Sequence, residues 1–309
     1  MCVSSERAKI GMILSPDRMA YLGLLGSPTT RTFGAITIYC SLRTPLRFSR
    51  NGRMWEEASA FVVPAYAPHQ IASDHPIIGV LMLEPETIDR SQLPQFLRPD
   101  TWDMKRFPDA IHRIREGFSS FSSRQTDKTI DSIDIDFWFF GQRLPEPPTD
   151  MRIGPIIHLL RTEPGSLASA EEGARLCNLS MSRFLHRFKA YTGATFRGFR
   201  AWKRARSFLR YVNGNAALTD IALEIGYADS SHFSNSIRQM YGLTPRDIFK
   251  GSRQLHIYIQ STTGDASSRW PCEIQPAAAA IGADCPTAIG SVTETTRIHV
   301  SATDCHLSA

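Results

Sequence analysis

The chain has 309 residues, 42% of them hydrophobic and 21% charged, and a net charge of +5, which is length enough for two domains that each bury a core. Its longest clear apolar run, Ile77 to Leu83, falls far short of the roughly 18 residues that a spanning helix needs, so no membrane helix is expected. The 6 cysteines form no CxxC pair, which argues against a structural zinc site and for free thiols in a reducing compartment.

The opening, MCVSSERAKIG, lacks a basic region followed by an apolar core. No secretion signal is expected, and the chain reads as cytoplasmic. From Phe33 to Glu84 the runs AITIY, SAFVVPA and PIIGVLML are rich in β-branched residues and separated by turn formers, the pattern of short antiparallel strands. In FPDAIHRIREGF, Phe107, Ile111, Ile114 and Phe118 recur at helical spacing behind Pro108. DSIDIDFWFF, from Asp131 to Phe140, fits helix or strand. RLPEPPTD, from Arg143 to Asp150, carries too many prolines to continue either and reads as a linker. Helical patterning then runs from Ile153 to Lys250. Past Gln260 large apolar residues become scarce and a disordered tail is expected.

The positive charge is unevenly placed. Residues 1–149 balance 17 basic against 17 acidic residues, residues 150–253 carry 16 against 8, and residues 254–309 carry 2 against 5. Between Arg183 and Arg210 there are 9 basic residues and no acidic one. A solvated helical face mixes signs, so a one-sign block points to a polyanion, nucleic acid before membrane.

Within that region one arrangement occurs twice. Ile221, Ala222 and Ile225 give a short helix its apolar side, Gly226 can end it, and Asp229 or Ser230 can cap a second helix. On the second helix Phe233, Ile237, Met240 and Tyr241 face inward, which leaves Ser231, His232, Ser234, Asn235, Arg238 and Gln239 outside. Upstream, SAEEGARLCN supplies a first helix, Asn178 stands at the turn, and Ser180 caps a second helix. There Phe184, Phe188 and Tyr191 face the core, with Ser182, Arg183, Leu185, His186 and Lys189 outside. Between the copies Thr195 to Val212 reads as one long basic helix. Helix, turn and capped second helix is the layout whose second helix can enter a major groove.

The motifs LCNLSMSRFLHRFKAYTG, FRAWKRARSFL and LTDIALEIGYADSSHFSNSIRQMYGLTP resemble the DNA-binding domain of AraC/XylS-type bacterial transcription activators. The last stretch, with its I-A-x-x-x-G-Y, S-H-F-S and Y-G-x-x-P, carries the most specific likeness. The resemblance implies two modules that enter successive major grooves of one duplex, and recruitment of RNA polymerase. Asn235, Ile237 and Phe196 depart from residues common in that family, and Asn235 bears on base preference, because arginine reads guanine and asparagine reads adenine. More loosely, AFVVPAYAPHQI and VLMLEPETI resemble the cupin-like sensory domain of the same regulators, and the helices before the linker fit its dimerisation element.

The expected architecture has two domains: an N-terminal antiparallel β cupin-like barrel with following helices over residues 1–145, which senses an effector and dimerises, and an all-α domain of two helix-turn-helix modules joined by a long helix over residues 154–252. Residues 146–153 link them and 261–309 form the tail. The expected base contacts are Ser182, Arg183, Leu185, His186, Ser231, Ser234 and Asn235, with Leu185 suited to a thymine methyl. The expected phosphate contacts are Lys189, Arg197, Arg200, Lys203, Arg204, Arg206 and Arg238. Trp55, Tyr66 and His69 are candidates for a small-molecule effector pocket. Neither a metal nor another cofactor is expected, since the H-x-H pairing with a following Glu is missing around His69 and His75. Cys40 at the end of ITIYCS invites a nucleophile reading, but it lacks the flanking glycines and following helix of a nucleophile elbow. The partners expected are double-stranded DNA, an effector, RNA polymerase and a second copy of the chain, with no membrane. An alternative is a ligand-independent regulator whose N-terminal half only dimerises.

Overall fold

The computed structural model describes residues 10–99, 101–124, 133–167, 169–253 and 255–260; the expected tail lies outside them. The N-terminal part is mostly β. Strands β1 (Gly11–Leu14), β2 (Arg18–Leu24), β3 (Ile36–Ser41), β6 (Ala60–Val63) and β8 (Ile77–Leu83) join a late strand, β9 (His256–Ile259), in a 6-stranded sheet ordered β6-β3-β8-β2-β1-β9. Strands β4 (Leu46–Ser49), β5 (Glu56–Ala58) and β7 (Gln70–Ser73) form a second sheet ordered β5-β4-β7. All pairings are antiparallel except β1 with β9.

The larger sheet is covered on both faces, and period-2 alternation assigns each side chain to one of them. Ile38 and Cys40 of β3 with Leu81 and Leu83 of β8 meet Ile114 and Phe118 of helix α1 (Pro108–Arg124) and Phe139 of α2 (Ile135–Phe140). Tyr39, Val80 and Met82 point to the other face, where Phe48 and Ile71 of the smaller sheet share a core with Trp202, Phe208, Phe233, Ile237 and Tyr241 from the C-terminal helices. That sharing departs from the expected two separate cores. The segment from Arg143 to Asp150 does break regular structure, but what lies on either side of it packs together.

The ambiguous run before the linker is helical over α2, capped by Asp134, whose side chain accepts from the Phe137 N–H. The C-terminal helices are α3 (Gly154–Thr162), α4 (Ala170–Leu176), α5 (Met181–Thr192), α6 (Phe196–Ser207), α7 (Leu218–Glu224), α8 (Ser230–Tyr241) and α9 (Pro245–Ser252). Strands β1, β2 and β9 are absent from the sequence expectation. Among the described residues no helix is long and apolar enough to cross a membrane.

Candidate nucleic-acid interface

Each helix pair is built by the same local chemistry. Ser169 caps α4 by accepting from the Glu172 N–H at 3.2 Å, and Asn178 takes a left-handed φ of 52° at the turn, a conformation asparagine tolerates. Ser180 then caps α5, accepting from the Arg183 N–H. In the second pair Gly226 stands at φ 88°. A side chain there would meet the Cα of Gly165 at 2.7 Å, so glycine is required for close approach as well as conformation. Of the two cap candidates, Asp229 serves, accepting from the His232 N–H at 2.7 Å.

The inward faces follow the 3.6-residue period. Phe184 and Phe188 of α5 pack edge-on against Phe196 of α6, and Thr192 rather than Tyr191 completes the buried side, Tyr191 being half-buried. Phe233, Ile237, Met240 and Tyr241 are buried on α8. Outside, Ser182, Arg183, Leu185, His186 and Lys189 on α5 are exposed, as are Ser231, Asn235 and Arg238 on α8, with Ser234 half-buried. Each second helix therefore offers a continuous polar face of hydroxyl, amide, imidazole and guanidinium groups, the repertoire that reads base edges and phosphates. Met181, Arg187, His232 and Gln239 share these exposed faces and are missing from the expected contact set; helical periodicity alone places them there.

The helix between the pairs behaves differently from expectation. It spans Phe196 to Ser207 and ends in a short 3-10 turn at Phe208–Arg210. Phe199, Trp202, Lys203 and Arg206, at i, i+3, i+4 and i+7, share one face, and that face lies on the N-terminal sheet. Lys203 is 4% exposed and Arg206 7%. Lys203 Nζ pairs with Glu84 and, at 2.6 Å, with Glu86. Arg206 Nε lies 2.8 Å from Glu84, and its Nη2 donates to the carbonyls of Ser15 and Arg18 at 2.6 and 3.0 Å. Trp202 Nε1–H donates to Glu84 at 2.9 Å. Burial works to raise the Glu86 pKa, but the charges of Lys203 and Arg161 outweigh it and hold the carboxyl below its usual range. Lys203 and Arg206 are thus corrected from phosphate contacts to partners of a buried carboxylate pair. Of their neighbours, Arg197 is exposed, Arg200 is half-buried beside the Phe196 ring, and Arg204 is half-buried and donates to the Pro164 carbonyl at 3.2 Å. Gly34 lies so close that a side chain there would collide with the Trp202 ring at 2.2 Å.

Trp55, Tyr66 and His69 form no common pocket, which corrects that expectation. Trp55 is 40% exposed. His69 is enclosed by the rings of Phe33, Tyr39 and Phe48. Its Nδ1–H donates to the Ala67 carbonyl at 2.9 Å, so Nε2 accepts from the Tyr39 hydroxyl at 2.7 Å, and the neutral ring is the form that fits. Tyr66 adopts φ 63°, and burial pushes its phenol pKa well up. Burial likewise pushes the Cys40 thiol up to about 12, which denies it the thiolate a nucleophile needs.

Burial lowers the His69 pKa to about 4. The unfolded chain, with histidine near 6.5, binds the proton more tightly, so this residue's contribution to stability is complete above about pH 6.5 and is lost as pH falls toward 4. Between pH 6.5 and 5 the loss is about 2 kcal/mol. Urea midpoints should fall over that interval in the native chain and much less in His69→Gln; parallel falls would contradict the assignment.

The family profile described as a helix-turn-helix domain matches residues 174–251. The HTH-type transcriptional activator RhaS of Escherichia fergusonii is 36% identical over 107 residues, 33% of this chain and 37% of that protein. Invasion protein InvF of Salmonella typhi is 35% identical over 60 residues, 19% of this chain and 28% of its own length. The chain thus spans well under half the length of these relatives. Among solved structures, an apo variant of ToxT from Vibrio cholerae aligns over 76% of this chain and 97% of its own, with TM-score 0.48 at 11% identity. The profile match and the curated relatives agree with the paired, capped helices: the C-terminal part of the chain is an AraC-type helix-turn-helix domain.

Proposed function

We propose that the chain is a sequence-specific DNA-binding transcription regulator, acting as an activator, whose N-terminal half controls the DNA-binding half in response to a small-molecule effector. The observation that carries this reading is the pair of capped second helices, each with a buried aromatic side and an exposed polar one. In this reading α5 and α8 enter successive major grooves. Ser182, Arg183, Leu185, His186, Ser231, Ser234 and Asn235 meet base edges, while Lys189, Arg197 and Arg238 meet phosphates, with Arg200 and Arg204 secondary. Residues 154–252 bind DNA, residues 1–145 carry the control, and the two-sheet packing of that part is read as cupin-like. The activator reading is supported by the name of the RhaS relative. Contact with RNA polymerase, pairing with a second copy and a cytoplasmic site of action belong to the same proposal.

Asn235→Ala should relax preference at one base position and cost ~1–3 kcal/mol on the preferred sequence. Lys189→Ala should weaken all sequences alike and lower the salt slope by about 0.9. Fluorescence anisotropy on matched and mismatched duplexes separates them, and a uniform loss from Asn235→Ala would show that this side chain does not read bases. A second reading, favoured by the core that the N-terminal sheet shares with α6 and α8, gives that sheet a supporting role with no effector. If no metabolite raises the melting temperature of the full chain, this second reading replaces the first.

A further inference from the structure

A cleft of about 660 Å³ opens between the segment after β8 (Ile88 to Ser91), the connection from Pro147 to Arg152, and the last turns of α5. Its volume suits a small organic molecule. Its charges are already committed, with one exception. Asp89 accepts from the Ser91 N–H and hydroxyl and from Gln92. Asp150 takes Arg187 at 2.7 Å and the N–H groups of Arg152 and Ile153. Arg90 donates to the carbonyls of Ala190 and Tyr191 at 2.7 and 3.2 Å and so closes the C-terminal end of α5. The Arg152 guanidinium has no hydrogen bond or ion pair among the described residues. Both carboxylates are therefore satisfied and the charge left over is positive, beside the apolar surfaces of Ile88, Pro147 and Tyr191. A guanidinium fork matches a carboxylate in both geometry and charge.

The cleft also lies where a ligand could act on DNA binding. The second helix pair is fused through Phe233, Ile237 and Tyr241 into the core shared with the N-terminal sheet. The first pair instead packs on an aromatic group of its own, Phe184, Phe188, Phe196 and Phe199. It meets the N-terminal half along the side that the cleft occupies, where Arg90 grips the end of α5. Arg187, in the cleft wall, follows directly on Leu185 and His186 of the exposed face. A molecule in the cleft touches the N-terminal half, the connection and the first reading helix at once, and any difference in its affinity for two placements of α5 shifts the balance between them.

We propose that this cleft binds a small organic carboxylate with an apolar body, held by Arg152, and that its occupancy sets the placement of α5. The proposal rests on the reading of the chain as an effector-controlled regulator. Benzoate and hexanoate, with inorganic phosphate as a control for simple ion attraction, are titrated into the full chain by calorimetry, alongside Arg152→Glu and Ala190→Trp. DNA affinity is measured on every protein with and without benzoate. Saturable binding of at least one carboxylate is expected, weakened tenfold or more by both substitutions and stronger than that of phosphate, together with a threefold or larger change in DNA affinity when benzoate is present. Absence of saturable carboxylate binding, equal affinity in Arg152→Glu, or phosphate binding as well as benzoate would overturn the assignment of the cleft. Binding that leaves DNA affinity unchanged would overturn its coupling to α5. DNA affinity without any ligand judges the regulator reading separately, since Arg152→Glu leaves both exposed reading faces intact.

Discussion

Glu84→Ala is expected to destabilise the folded chain by about 3–5 kcal/mol, because it leaves buried cations facing a hole where their counter-charge stood. For a chain of this size that is a fall in melting temperature on the order of 10 °C. Three groups of α6 converge on the Glu84 carboxylate: the Trp202 indole N–H, the Lys203 ammonium and the Arg206 guanidinium. Glu86 remains for Lys203, and two backbone carbonyls remain for Arg206. Neither replaces a full negative charge in a site that water does not reach. Glu84→Gln keeps an acceptor for the indole and should fall between the native chain and Glu84→Ala. Adding Lys203→Met to Glu84→Ala should recover part of the loss, since it removes the uncompensated charge itself; additive losses in that double variant would contradict the ion-pair account.

A chain ending at Arg253 is expected to lose about 3–6 kcal/mol relative to one ending at Gln260, from the apolar burial that β9 contributes. Leu255 joins the core that holds Trp202, while Ile257 and Tyr258 pack against opposite faces of the large sheet. The strand pairs Gly11↔His256 through Leu14↔Ile259, and the Gln260 N–H continues the ladder to the Leu14 carbonyl at 2.9 Å. Its removal uncovers β1 as an unpaired edge, so the shorter chain should also aggregate more readily. Equal urea midpoints for the two chains would show that β9 adds nothing.

What the sequence made legible was local. Asn178, Ser180, Gly226 and Asp229 act within a few residues of themselves, and the strands at Ile36, Ala60 and Ile77 are apolar runs bounded by turn formers, so short windows suffice to find them. What escaped depends on distant partners. HIYI is a strand because Gly11–Leu14 leaves an edge for it to pair with in parallel, some 245 residues earlier in the chain. Lys203 and Arg206 read as a positive surface in a block without acids, yet their counter-charges, Glu84 and Glu86, lie 117 or more residues away in sequence. LMLEPE, a buried strand running straight into two carboxylates, was the one available hint that cations would be needed there. The pocket expected at Trp55, Tyr66 and His69 failed for a related reason: periodicity gives no sign that Phe33, Tyr39 and Phe48 close around the imidazole.

The central claim is that α5 and α8 read one duplex together. Hydroxyl-radical footprinting of the full chain on a sequence selected from random DNA measures this directly. Two protected segments about 10 base pairs apart on one face of the duplex are expected, one of them weakened by Leu185→Ala and the other by Asn235→Ala. Protection of a single segment, or two segments indifferent to both substitutions, would contradict it.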